Sequence, residues 1–135
     1  MNLLMSLAWP NHVHHRPARA WFGRRRGSWA TTPVTESGFV RVSSNGAAIP
    51  TAVRPGEALA LLGRLREARR HVFLPDDVQL VVADYVAPEL IVTHRDVTDA
   101  HLLALSRRHG ARLATFDRGV LRLAGDAGDV VLVPG

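Results

Sequence analysis

Glu36, Asp99 and Asp117 are the side chains in this sequence whose type and setting point to chemistry. Asp117 follows Leu113-Ala114-Thr115-Phe116, a short apolar run suited to a strand buried on both faces. Asp99 falls in the first turn of a helix, where the helix dipole favours a negative charge. Glu36 opens another helix just past the short run Trp29-Ala30-Thr31. In open parallel sheets ligands bind beyond the carboxyl ends of the strands, so these acids are expected to share one edge. Clustered carboxylates repel one another, and a hard divalent cation such as Mg²⁺ or Mn²⁺ relieves that repulsion. Such an ion activates water and stabilises charge on a phosphoryl oxygen. A phosphodiester is the substrate class this predicts. Helix capping is the competing account of Glu36, since Thr32-x-x-Thr35-Glu36 is close to a capping box.

The elements that must position these acids alternate in type. Thr98 is expected to cap the helix carrying Asp99, with Ala100, Leu103 and Ala104 on its apolar face and Gly110 ending it. Thr32 and Pro33 start the helix carrying Glu36, which Asn45-Gly46 ends. Residues 2–9 read as a helix or as the tail of a strand, and Val13 to Arg26 as an amphipathic helix with Val13, Pro17, Ala20, Trp21 and Phe22 inward. His12, His14 and His15 are expected to be solvated at its start, because their spacing suits a metal poorly. Gly56 to Arg70 reads as a helix with Leu59, Leu62 and Leu65 on one side. His71 to Leu74 and Val130 to Val133 read as strands, the last one after a Gly/Asp-rich turn. Asp76 and Asp77 are expected to cap a helix from Val78 to Tyr85, while 87–92 stays ambiguous. Helices alternating with short apolar strands predict an α/β protein, an α/β/α layered sandwich around a mainly parallel sheet, in a single domain over 1–135.

The 135 residues carry a formal charge of +5. All 17 basic residues are arginine, and there is no cysteine, which removes disulfides and thiolate metal sites. A basic, arginine-only surface favours a polyanion, because a guanidinium pairs with phosphate in a bidentate way. A solvated arginine surface without a role is the alternative. No stretch approaches the roughly 20 apolar residues of a membrane span, and the apolar start, MNLLMSLAW, lacks the basic residues and cleavage site of a signal peptide. A membrane partner is not expected, and a reducing cytoplasmic setting fits.

The chain resembles the PIN-domain family, specifically the VapC-type toxins of bacterial toxin–antitoxin pairs. The resemblance rests on LLMSLAWPNHVHHRPARAWF, TPVTESGFVRVSSN, HVFLPDD, HRDVTDAHLLALSRRHGARLATFDRG and VVLVPG, in that order along nearly the whole chain. TESGFVRV and VTDAHLLAL with LATFDRG are its specific parts. It implies a Mg²⁺- or Mn²⁺-dependent ribonuclease whose acidic quartet falls here on Glu36, Asp99 and Asp117, with Thr115 bonded to one of them. The fourth acid has no counterpart. Asn2 matches the asparagine of the family's Asp-x-Asn, so the aspartate and the strand bearing it would precede Met1. The first strand is therefore expected to be absent or truncated, through a start assigned too late or a shortened gene. Asp96 is not expected to replace the missing acid. The resemblance also implies a cognate VapB-like antitoxin, a transfer or ribosomal RNA substrate, and a homodimer. The competing function is a catalytically impaired remnant that still binds its antitoxin. A phosphoacceptor receiver domain also groups acids around Mg²⁺, but it resembles a pattern with a lysine that this chain lacks.

Overall fold

The computed structural model describes residues 2–81, 84–125 and 128–135. Met1, with the Asp-x-Asn match that touches it, lies outside them, as do residues 82–83 and 126–127. Two compact units are formed, one up to Pro75 together with Gly135, the other from Asp76 to Pro134.

The first unit opens with α1 (Asn2–Ala8) and α2 (His15–Arg24), followed by β1 (Trp29–Thr31), α3 (Pro33–Ser43), α4 (Pro55–Arg66) and β2 (His71–Phe73). The segment left open between helix and strand is thus a helix, because Leu4, Leu7 and Ala8 recur at helical spacing and Leu4, Met5 and Leu7 are buried. α2 starts two residues later than Val13. Turns at His12 N–H to Trp9 O (3.0 Å) and His15 N–H to His12 O (2.9 Å) occupy that stretch and leave Val13 82% exposed. Ala18 takes the inward position that Ala20 was expected to fill. His15 is not simply solvated. Its Nδ1–H donates to Ser6 O at 2.8 Å and ties α2 to α1.

α4 also ends earlier than expected, at Arg66, and its inward stripe is Ala58, Leu61, Leu62 and Leu65, with Leu59 58% exposed. Arg70, at φ 64°, turns the chain into β2. β1 and β2 pair in parallel, Trp29 opposite His71 and Thr31 opposite Phe73. Phe39 is fully buried against Leu4, Met5 and Leu62, a burial that contributes roughly 2–3 kcal/mol for such a ring.

The second unit holds a 3₁₀ turn (Pro88–Leu90), α5 (Asp96–Arg108), β3 (Leu113–Thr115), α6 (Val120–Ala124) and β4 (Val130–Leu132). β3 and β4 are again parallel, Leu113 opposite Val130. Both described sheets are therefore parallel pairs of three-residue strands flanked by helices, in keeping with the α/β class. The core joins Ala100, Leu103 and Ala104 of α5 to Leu123, Ala124 and Val86. Gly110, at φ 65°, closes α5: Ala111 N–H reaches Ser106 O (2.8 Å) and Gly110 N–H reaches Arg107 O (3.3 Å), the paired bonds of a Schellman end.

Two expectations fail in this unit. Thr98 is not the cap of α5, which begins at Asp96 instead. The Asp96 carboxylate accepts the N–H groups of Val92 (2.9 Å) and Thr93 (3.0 Å), fixing the approach to the helix. Among the described residues of 78–85 there is no helix either. The reason lies in Asp76 and Asp77, whose carboxylates bind α5 rather than local N–H groups: His101 Nε2 lies 2.7 Å from Asp76, and His109 Nε2 lies 2.9 Å from Asp77. The His109 hydrogen bond also holds the Asp77 pKa below its ordinary value.

Candidate active site

Glu36 is placed by β1 and by the first turn of α3. The reciprocal capping bonds there are made by Thr32 and Thr35, so capping does not account for Glu36. Its carboxylate is instead gripped from the strand side. Thr31, fully buried as the last residue of β1, lies 2.6 Å from Glu36 Oε1 through Oγ1 and 2.7 Å from His71 Nε2. A hydroxyl has one proton to give, and a carboxylate can only accept. Thr31 therefore donates to Glu36 and accepts from His71 Nε2–H. Burial, then the nearby Arg66, lower the His71 pKa from its ordinary 6.5. Trp29 meets the His71 ring edge-on at 4.7 Å, and Arg66 approaches Glu36 Oε1 at 3.3 Å.

Asp99 and Asp117 belong to the second unit. Asp99 projects half-buried from the first turn of α5. Its carboxyl pKa is raised above the ordinary value by burial first, then by the charge of Asp117, with Asp96 adding to it. A carboxylate pair that resists ionising is one that gains from a cation. Asp117 leaves β3 in a tight turn: its N–H donates to Thr115 Oγ1 (3.0 Å), and its Oδ1 accepts from Gly119 N–H (2.8 Å). Thr115 thus bonds to an acid of the set, through the backbone. A Cβ on residue 119 would stand 3.1 Å from Asp117 Oδ1, so glycine leaves room for that carboxylate.

The structure couples Asp99 with Asp117 and secures Glu36 in the other unit. Within neither unit do the described residues form a group of three His, Asp or Glu able to hold a metal ion. The donors are nonetheless of the right kind. All are carboxylate oxygens without histidine or sulfur, the set a hard Mg²⁺ or Mn²⁺ ion takes with water completing its shell. Asp96 is not available to them, since its oxygens take backbone N–H groups and Arg122 Nη2 at 2.7 Å. Thr31 and His71 are the positioning residues that sequence reasoning missed. Thr31 could have been noticed as a polar residue ending an apolar strand, but no local signal joins it to a histidine 40 positions away.

The PIN domain family model matches residues 2–126. Ribonuclease VapC38 of Mycobacterium tuberculosis is 50% identical over 125 residues, covering 92% of this chain and 86% of that protein. Ribonuclease VapC39 of the same species is 46% identical over 118 residues, covering 87% and 85%. Ribonuclease VapC29 is 34% identical over 137 residues, covering 98% and 92%. With these matches spanning both units, the chain belongs to the PIN-domain family, in its VapC branch.

Proposed function

We propose that this chain is a metal-dependent endoribonuclease, the toxin of a toxin–antitoxin pair, which hydrolyses RNA phosphodiester bonds. The observation that carries the reading is the charge coupling of half-buried Asp99, in the first turn of α5, with Asp117, just past β3, which adds to burial in raising the Asp99 pKa. Glu36, Asp99 and Asp117 would hold Mg²⁺ or Mn²⁺. When bound, such an ion supplies an activated water and charge stabilisation at a phosphoryl oxygen. The protein's own part is to keep Asp99 half-buried, to turn Asp117 around Gly119 and to hold Glu36 through Thr31. Arginines steer the RNA, a transfer RNA or a ribosomal RNA loop. A VapB-like antitoxin is the expected partner, and a cytoplasmic homodimer the expected form.

The test is cleavage of total RNA with Mn²⁺ by the full chain and by Asp99→Asn, after circular dichroism has shown both to be folded. Mn²⁺-dependent cleavage that falls by about 100-fold or more in the variant supports the reading. Cleavage that survives EDTA overturns it. Undiminished antitoxin affinity in a folded protein that cuts nothing would make the chain a binding remnant instead.

A further inference from the structure

The arginines are not spread evenly over the first unit. Arg24, Arg25 and Arg26 lie just before β1, and Arg69 and Arg70 just before β2. Because β1 and β2 are parallel, these two segments meet at the amino-terminal edge of the pair, behind the edge where Glu36 stands. They are strapped together reciprocally. Arg25 Nη2 donates to Arg69 O at 2.6 Å, and Arg70 Nη1 donates to Arg26 O at 2.7 Å. Trp29 N–H adds a bond to Arg70 O at 3.1 Å.

Holding like charges side by side is unfavourable unless something answers them. Among the described residues, none of these arginines makes an ion pair, in contrast to Arg66, Arg107, Arg108 and Arg122. Arg25 is the structural member: its guanidinium lies 3.6 Å from the centre of the Phe22 ring and is partly buried. Arg24, Arg26, Arg69 and Arg70 are exposed. Arg70 holds its place with φ 64°, a conformation in which glycine would be less strained.

We propose that this arginine edge is a second binding site, for the phosphodiester backbone of an RNA strand. The inference rests on the reading of the chain as a ribonuclease and adds a contact away from Glu36. Exposed guanidiniums without carboxylate partners are matched to phosphate oxygens, which they meet with paired N–H donors. The Phe22 ring beside these arginines is already occupied by Arg25 and by the edge of Trp29 at 5.0 Å. Guanidiniums that meet phosphate oxygens grip backbone without reading sequence. Its effect is to favour RNAs long enough to reach this edge as well as Glu36.

The test is binding of the full chain to a labelled, unstructured 20-nucleotide RNA in EDTA, followed across a salt series. Arg26→Gln with Arg69→Gln is the informative double variant, because the strap uses only the main-chain carbonyls of these residues. Loss of two phosphate contacts should lower the slope of log K against log salt by about 1.4, equivalent to about 25-fold weaker binding at 0.1 M salt when extrapolated from 1 M. Arg26→Lys with Arg69→Lys should retain most of the slope. Arg54→Gln with Arg112→Gln changes net charge equally and should alter it little. An unchanged slope in the first variant, or an equal fall in the last, overturns the proposal. So does a loss of affinity for the antitoxin alone. Cleavage by the wild type is scored separately with Mn²⁺. A slope that falls without any cleavage sinks the nuclease reading and leaves the RNA site standing, whereas cleavage with an unaltered slope does the reverse.

Discussion

Thr31 carries more of the site than its position suggests. It is fully buried, donates its hydroxyl hydrogen bond to Glu36 and accepts one from His71. Thr31→Val would leave the His71 N–H without its acceptor and Glu36 without its donor. We expect a loss of about 1–3 kcal/mol in urea unfolding, as for a buried polar group stripped of its partner. RNA cleavage should fall with it. Thr31→Ser restores the hydroxyl and should recover cleavage in proportion, which a packing defect at this position would not allow. His71 adds a pH signature. Its pKa is depressed in the folded chain, so its contribution is fully present above 6.5 and is lost as pH falls below that value through the folded pKa. The Glu36 relay was not legible in the sequence, because it depends on the register that sets β1 beside β2.

At the scale of elements, Arg107 gathers the second unit. From the last turn of α5 it reaches the Asp129 carboxylate before β4, the carbonyl of Tyr85 and, at 3.0 Å, the carbonyl of Ala124 in α6. The sequence presents this residue only as a basic side chain suited to a helix end. The hydrogen bonds from Arg107 hold the Asp129 pKa below its ordinary 3.8. A depressed carboxyl pKa stabilises the fold above the unfolded value, and that stability disappears as pH falls through the folded one. Asp129→Asn should therefore lower the urea midpoint at pH 7 and flatten the decline of stability below pH 4. A variant whose midpoint falls in parallel with the wild type through that range would contradict this account. That no helix forms among the described residues of 78–85 has the same origin. Asp76 and Asp77 carry a local capping signal, and histidines 25 and 32 residues further on outcompete it.

For the molecule as a whole, the proposed function assigns a metal ion to Glu36, Asp99 and Asp117 and the RNA to the arginines of a chain whose formal net charge is +5. If the acids hold a cation, that cation binds the folded chain and not the unfolded one. Excess Mn²⁺ should then raise the melting temperature, by an amount equivalent to about 2.7 kcal/mol at one hundred times its dissociation constant. Asp99→Asn with Asp117→Asn should abolish the rise while leaving the metal-free melt as high or higher, because the repulsion between the two charges is gone. A rise that persists in the double variant would place the ion elsewhere. No helix among the described residues is long and apolar enough to cross a membrane.

Sequence alone determined the four described strands, each a short apolar run between clear breaks, although the runs read as ending at Leu74, Phe116 and Val133 are strands only to Phe73, Thr115 and Leu132. It also determined the end of α5 at Gly110 and singled out Glu36, Asp99 and Asp117 as candidates, because capping, apolar runs and charge placement act over a few neighbouring residues. Tertiary structure alone decided where Val13 and Leu59 face, why α5 begins at Asp96, and what Asp76, Asp77 and Thr31 do with their polar atoms. In each of these cases the deciding partner is remote along the chain or follows from burial. A polar group takes whichever donor or acceptor the finished packing brings within about 3 Å, and local sequence does not encode that distance.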